Sequence, residues 1–209
     1  EIFNNENKGS NHGDAIGIYV ENAANANFTI NKKALTISAH TVNWASGTTY
    51  TRSNYDTGVN SEKITLTYTP NTNTAGTYTY ATSTGSGKYL LSLSDSTNYS
   101  ISSAGDLTIQ AVAATCPTLT AYSGAYDGNS HSITVSGGSG GTIQYRTSTT
   151  GNWSNTKPNG GPNVGTTTIY VQVAADANHT TKDCGSKTVE ITKRNVTLTA
   201  GSSSRAWNG

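Results

Sequence analysis

Two cysteines, four histidines and a scatter of aromatic rings are the residues of this 209-residue chain that could do chemistry or hold a ligand. Cys116 and Cys184 stand 68 positions apart. A thiolate metal site brings its ligands in close pairs such as Cys-x-x-Cys, or beside histidines at short spacing. Neither pattern is present, which leaves two readings for the thiols: a crosslink, or a pair of unbonded buried cysteines. His12, His40, His131 and His179 form no His-Glu-x-x-His pair, and no Gly-x-Ser-x-Gly elbow presents a serine nucleophile. Serine and threonine are spread through the whole chain, so nothing singles out one hydroxyl for activation. The chain reads as a non-enzyme with no cofactor and no metal.

Other groupings call for a comparison of readings. Gly85-Ser86-Gly87-Lys88 looks like the end of a phosphate-binding loop, but that motif needs glycine where Thr82 stands and Ser or Thr where Tyr89 stands. A turn leading into a strand at Lys88 fits better. Lys33, Glu62 and Asn98 carry the side chains of an intramolecular Lys–Asn crosslink, which requires amine and amide to be buried beside a protonated carboxyl, and nothing in the sequence shows burial. Trp153 and Tyr145, with Tyr170, could stack on the face of a sugar, and Trp44 could do so earlier in the chain. In a chain with twelve Tyr and two Phe, the same rings are what a core would be made of. Sequons at Asn27, Asn98, Asn152, Asn178 and Asn195 read as by-products of an Asn- and Thr-rich composition.

The elements that position these residues are short strands. Charged residues make up only 12% of the chain and nearly cancel to a net +1, so no basic field is available to hold nucleic acid. No apolar run is long enough to span a bilayer, and no signal peptide is seen. Without methionine and starting at Glu1, the chain reads as a piece of a longer protein. Alternation such as Ile64-Thr65-Leu66-Thr67-Tyr68 puts apolar residues on one face of a strand. Strands are predicted over 34–39, 63–69, 76–82, 88–93 and 106–110, then over 131–135, 142–147, 166–174 and 187–192, with turns at Pro70-Asn71 and 103–105. The segment 111–115 is a short linker with no Gly/Ser run.

These strands repeat. Leu35-Thr36-Ile37 leads to Trp44 and Gly47, Leu119-Thr120-Ala121 leads to Tyr126-Asp127-Gly128, and Leu198-Thr199-Ala200 leads to Trp207-Asn208-Gly209. The leucines are 84 and 79 positions apart, about the size of one β-sandwich domain. A closing pattern recurs as well, at Asn27-Phe28-Thr29, Asn98-Tyr99-Ser100 and Asn178-His179-Thr180. The predicted organisation is all-β: closing strands of a preceding repeat over 1–31, tandem Ig-like sandwich domains over 32–112 and 113–193, and the opening strand of a following repeat over 194–209.

With its Tyr126-Asp127-Gly128 turn, the Leu-Thr opener before it and the Gly165–Val173 strand after it, the chain resembles the tandem Ig-like repeats of bacterial surface proteins known as MBG or YDG domains. The likeness is strongest over 117–209. Over 33–110 it departs by having Trp44-Ala45-Ser46-Gly47 where the Tyr-Asp-Gly turn belongs. The resemblance implies an extracellular stalk or adhesin segment on the bacterial cell surface, whose partners are neighbouring repeats of the same protein and which has no catalytic residues. An exported protein favours the disulfide reading of Cys116 and Cys184, and with it a second domain more resistant to unfolding than the first. The alternative function is a binding module that meets host or dietary glycans, or surface proteins, through loops at 137–141 and 155–164 and through Trp153, Tyr145 and Trp44.

Overall fold

The computed structural model describes residues 29–209. The strand-like run at 16–20 and the first closing pattern, at 27–28, lie outside the described residues. The described chain is all-β, and its buried residues form two separate cores.

The first core is framed by eight strands: β1 (Lys33–Ile37), β2 (His40–Asn43), β3 (Tyr50–Asp56), β4 (Lys63–Pro70), β5 (Gly76–Tyr80), β6 (Lys88–Leu93), β7 (Tyr99–Ala104) and β8 (Leu107–Gln110). Six of them form one sheet in the order β2-β8-β5-β6-β4-β3, and β1 pairs with β7 beside it. β4 shows why the sequence folds this way: Ile64, Leu66 and Tyr68 point inward while the threonines between them stay partly wet. The opening and closing segments run parallel, β1 along β7 and β2 along β8, with one jog between them. At the jog Gly105 N–H donates to the Ile37 carbonyl, and a Cβ on Gly105 would stand 2.6 Å from the Ala39 nitrogen, so only glycine fits. The sequence predicts a single strand over 34–39 and a turn over 103–105; the jog ends β1 at Ile37 and starts a further strand, β2, at His40, beyond the expected end, while β7 runs through Ala104 and shifts the turn to Gly105-Asp106.

Tyrosine supplies five of the eleven clustered buried residues of this core, which answers one of the questions the aromatics posed. Tyr50, Tyr68, Tyr78, Tyr89 and Tyr99 are buried together with Leu35, Ile37, Leu66, Leu107 and Ile109. Buried hydroxyls need partners. Tyr89 donates to the Gly105 carbonyl at 2.5 Å, Tyr78 to that of Thr74 at 2.8 Å, and Tyr50 to Asn73 Oδ1 at 2.6 Å. Tyr99 bonds the Glu62 carboxylate and Thr57. Burial pushes the Tyr89 phenol up to about 12. The Tyr68 hydroxyl is different: it lies near Arg52 but has no hydrogen-bond partner among the described residues. Tyr68→Phe is therefore expected to be neutral or stabilising by up to about 1 kcal/mol, and Tyr89→Phe to cost about 1–2 kcal/mol, because it strands the Gly105 carbonyl. Urea unfolding of the two variants checks this, and equal losses at both positions would refute it.

The second core is framed by β9 (Val112–Ala113), β10 (Thr118–Thr120), β11 (Tyr122–Ala125), β12 (Thr134–Ser136), β13 (Thr142–Arg146), β14 (Gly165–Ala174), β15 (His179–Thr180) and β16 (Lys182–Thr192). Its main sheet has the order β11-β16-β14-β13, with β10 paired to β12 and β9 to β15. Ile169, Val171 and Val173 of β14 are fully buried, and Ile169 and Val171 share the core with Val189, Ile191, Ile133 and Tyr145. Again the first and last segments are parallel: β9 runs along β15, and β11 along β16.

The two frames correspond residue by residue at their edges. Lys33 N–H donates to the Asn98 carbonyl as Val112 N–H donates to that of Asn178. Trp44 N–H donates to the Gln110 carbonyl as Tyr126 N–H donates to that of Thr192. Gly76 faces Ile109 as Gly165 faces Ile191, with φ +154° and +155°. Residues 193–209 form no strand, and Val196, Leu198 and Trp207 stand exposed there.

Candidate functional site

One feature of the described residues joins polar and aromatic groups far apart in the chain: the junction of the two cores. Its first half is a braced corner. The Trp44 indole N–H donates to the Asn73 carbonyl at 3.0 Å, and the Asn73 amide returns a bond to the Ala45 carbonyl at 2.8 Å. The loop before β5 is thereby tied to the end of β2. The second half is an aspartate-capped turn, in which Asp176 Oδ1 accepts from the backbone N–H groups of Asn178 and His179 and from His179 Nδ1 at 2.8 Å. Those donors hold the Asp176 carboxyl below the usual range, the Asn178 N–H first.

The halves meet through two contacts. Asn178 Oδ1 accepts from the Ala75 N–H at 2.9 Å, and the edge of Trp44 meets the His179 ring with centroids 4.8 Å apart. The imidazole is backed by Gly140, where a Cβ would come within 2.7 Å of the ring. The linker leaves only Ala111 between β8 and the next strand, because Val112 and Ala113 are already the strand β9 paired to β15 in the second core, and Thr115 bridges to Ser139. A segment that the sequence marks only as short is thus a hydrogen-bonded strap.

Cys116 follows the strap, and it is bonded to Cys184 in β16, with Cα atoms 5.4 Å apart. The bond closes a 68-residue separation and fixes the end of the linker to the last strand of the second core.

None of the four aromatics considered for sugar stacking stands exposed. Trp44 is half-buried in the junction. Tyr145 is 8% exposed and belongs to the second core. Trp153 lies under the Arg146 guanidinium, 4.3 Å from its ring centroid, with Tyr170 5.7 Å away on the same cation. The loop at 155–164 is fastened down, since Ser132 Oγ donates to the Pro158 carbonyl, Lys157 Nζ to that of Ile133, and Gly160 N–H to that of His131.

The remaining groupings resolve into structural contacts. Lys33, Glu62 and Asn98 do gather at one corner, but all three are exposed; the Lys33 ammonium donates to the Gly58 carbonyl and the Asn98 amide to Asp95. The buried setting that a Lys–Asn bond requires is absent from that corner. Lys88 N–H donates to the Gly85 carbonyl in a turn entering β6, and Lys88 Nζ is taken by Thr79. In the Tyr126-Asp127-Gly128 turn, Asp127 accepts from Asn129 N–H and from His131, which hold its carboxyl down to about 2. Among the described residues no group of three His, Cys, Asp or Glu could hold a metal ion.

The sequence does not reveal the roles of Asn73, Ala75 and Asn178, because each acts on a residue far away in the chain: Asn73 on Trp44 within the first core, and Ala75 and Asn178 on each other across the junction. The only trace was the recurrence of Asn before an aromatic ring at Asn98-Tyr99 and Asn178-His179. No family model, curated protein or solved structure matches the chain.

Proposed function

We propose that this chain is a non-catalytic stalk segment of a bacterial surface protein, in which tandem Ig-like sandwiches over 32–112 and 113–193 space a distal region from the cell and bear the load on it. The observation that carries this reading is the junction, where the linker is a paired strand and Trp44 and Ala75 grip the Asn178-His179 turn. A free tether would decouple the cores, whereas a strapped joint transmits direction. The parallel pairing of opening and closing strands supports the same reading. Tension on the two ends of β2 and β8, or of β11 and β16, pulls the paired strands in opposite directions and loads their ladder bonds together in shear. The disulfide fits an oxidising, extracellular setting.

The test is whether the cores tumble as one body. A single alignment tensor is expected to fit the residual dipolar couplings of both cores, and the Trp44→Ala/Asn178→Ala double variant is expected to need two. Loss of the Asn178 bond alone costs the junction about 1 kcal/mol. Independent tensors in the unaltered chain would sink the proposal.

A further inference from the structure

The junction has a second, uncovered half at the far end of the molecule. Tyr126 occupies the position of Trp44, as their backbone bonds to Thr192 and Gln110 show, and Val164 occupies that of Ala75, each standing just before the glycine that faces Ile191 or Ile109. At the existing junction Trp44 and Ala75 are covered by the Asn178-His179 turn. At the far end Tyr126 is 42% exposed and Val164 49% exposed, and they line one cleft with Asp127, Lys193, Arg194 and Val196. The Val164 N–H makes no hydrogen bond among the described residues, as the Ala75 N–H would make none without Asn178.

A separate observation points to the same occupant. The chain leaves this cleft through Lys193 and Arg194, which stand where Ala111 and Val112 leave the first core, and it continues into Leu198 and Trp207. These are the third occurrence of a Leu-then-aromatic opener whose leucine is buried at Leu35 and packed against the core at Leu119. Here Leu198 is 90% exposed and Trp207 91% exposed. A docking face and an unfilled opener thus adjoin on one stretch of chain.

We infer that the Tyr126–Val164 face is a docking face for the closing turn of a further repeat of this kind, continuing along the same chain. The turn presents an Asn side-chain oxygen to the Val164 N–H and an imidazole or phenol ring to Tyr126, while residues 194–196 form the strap that β9 forms at the first junction. This rests on the stalk reading and deepens it: the joint would be a standard part, repeated at each boundary with an aromatic residue on the lower side and an Asn-aromatic turn on the upper.

The experiment keeps residues 1–194 whole and continues them with a copy of residues 113–192. Amide exchange at Val164 and the ring shifts of Tyr126 are read by NMR. Val164 is expected to exchange about tenfold more slowly than in the 209-residue chain. Tyr126→Ala, or alanine at the copy's Asn178, is expected to abolish that protection while the copy keeps its own protected core and disulfide. A folded copy that leaves Val164 exchanging as before overturns the inference. Should that copy fail to fold, a copy of residues 32–112 takes its place under the same readout, and failure of both to fold overturns the inference too, since an opener that neither repeat can complete is not a joint. Val164 protection that grows with concentration in the 209-residue chain would mean that a second molecule covers the face, which also overturns it. The Ala75 amide in the same spectra separates the two proposals. A protected Ala75 beside a bare Val164 sinks this inference alone, and a bare Ala75 sinks the stalk reading with it.

Discussion

Replacing Cys116 and Cys184 by serine is expected to destabilise the second core by about 4 kcal/mol and to leave the first core unchanged. The bond closes a separation of 68 residues, and the chain-entropy relation puts the crosslink's restriction of the unfolded chain at about 4 kcal/mol. That figure rivals the whole stability of a domain of this size, whose single core supplies only about 3–5 kcal/mol. The second core is also the smaller of the two: Ile133, Tyr145, Ile169, Val171, Val189 and Ile191 are its clustered buried residues, against eleven in the first. The sequence suggests that the second domain resists unfolding better, and the buried residues narrow that expectation to the oxidised protein. Calorimetry should show the second transition falling by roughly 15–30 °C on substitution, with the first staying in place. In force spectroscopy the oxidised bond shields everything between Cys116 and Cys184, and reducing it should lengthen the chain of the unfolded second core by about 240 Å, from 68 residues at roughly 3.5 Å each. If neither the melting nor the extension responds to reductant, the crosslink does not bear on the fold.

The strands that could be read from the sequence were those with a clean two-residue period over a buried face. β4, β6, β13 and β14 sit within a residue of their expected ends because Ile64/Leu66/Tyr68 and Ile169/Val171/Val173 leave no other register. β3 and β7 were missed for the opposite reason. In Tyr50–Asp56 only Tyr50 is buried, and in Tyr99–Ala104 only Tyr99, so most of each strand is polar and reads as loop. The long β16 was expected only over 187–192, because its first half, around Cys184-Gly185, has no apolar alternation and is held by pairing to β14 and by the disulfide.

The site was legible only as an echo. Repetition of the Leu-then-aromatic opener marks Trp44, Tyr126 and Trp207 as alike, but a ring that stacks on sugar and a ring that grips a second core have the same composition signal. The difference lies in which partner reaches the ring, and His179 is 135 positions from Trp44. In the same way Arg146 and Trp153 look unrelated along the chain, and only the bridge between Tyr145 and Ser154 sets the guanidinium over the indole.

Gly141→Ala is expected to be the most damaging single substitution in the loop that the sequence offered as a binding surface, and a graded series through that loop separates structure from recognition. A Cβ at Gly141 would stand 1.8 Å from the Ala174 carbonyl oxygen, and the residue has φ +145°. Backbone cannot yield as a side chain can, so β13 must part from β14 at the Thr142–Ala174 pair where their ladder begins, at a cost of about 3–5 kcal/mol to the second core. Gly140→Ala meets the His179 ring at 2.7 Å instead, with φ +84°. It should cost about 2 kcal/mol and also push the imidazole off Trp44, so that it alone in the series loosens the junction. Gly137→Ala meets nothing within 4 Å, and its φ of +77° leaves only backbone strain, about 1 kcal/mol. Thermal unfolding gives the order of the three losses, and the dipolar-coupling comparison of the two cores shows which variant frees the joint. Three equal losses of about 1 kcal/mol, with the joint intact in all, would mean that the close approaches at 140 and 141 do not exist in solution and that the loop is open to a ligand after all.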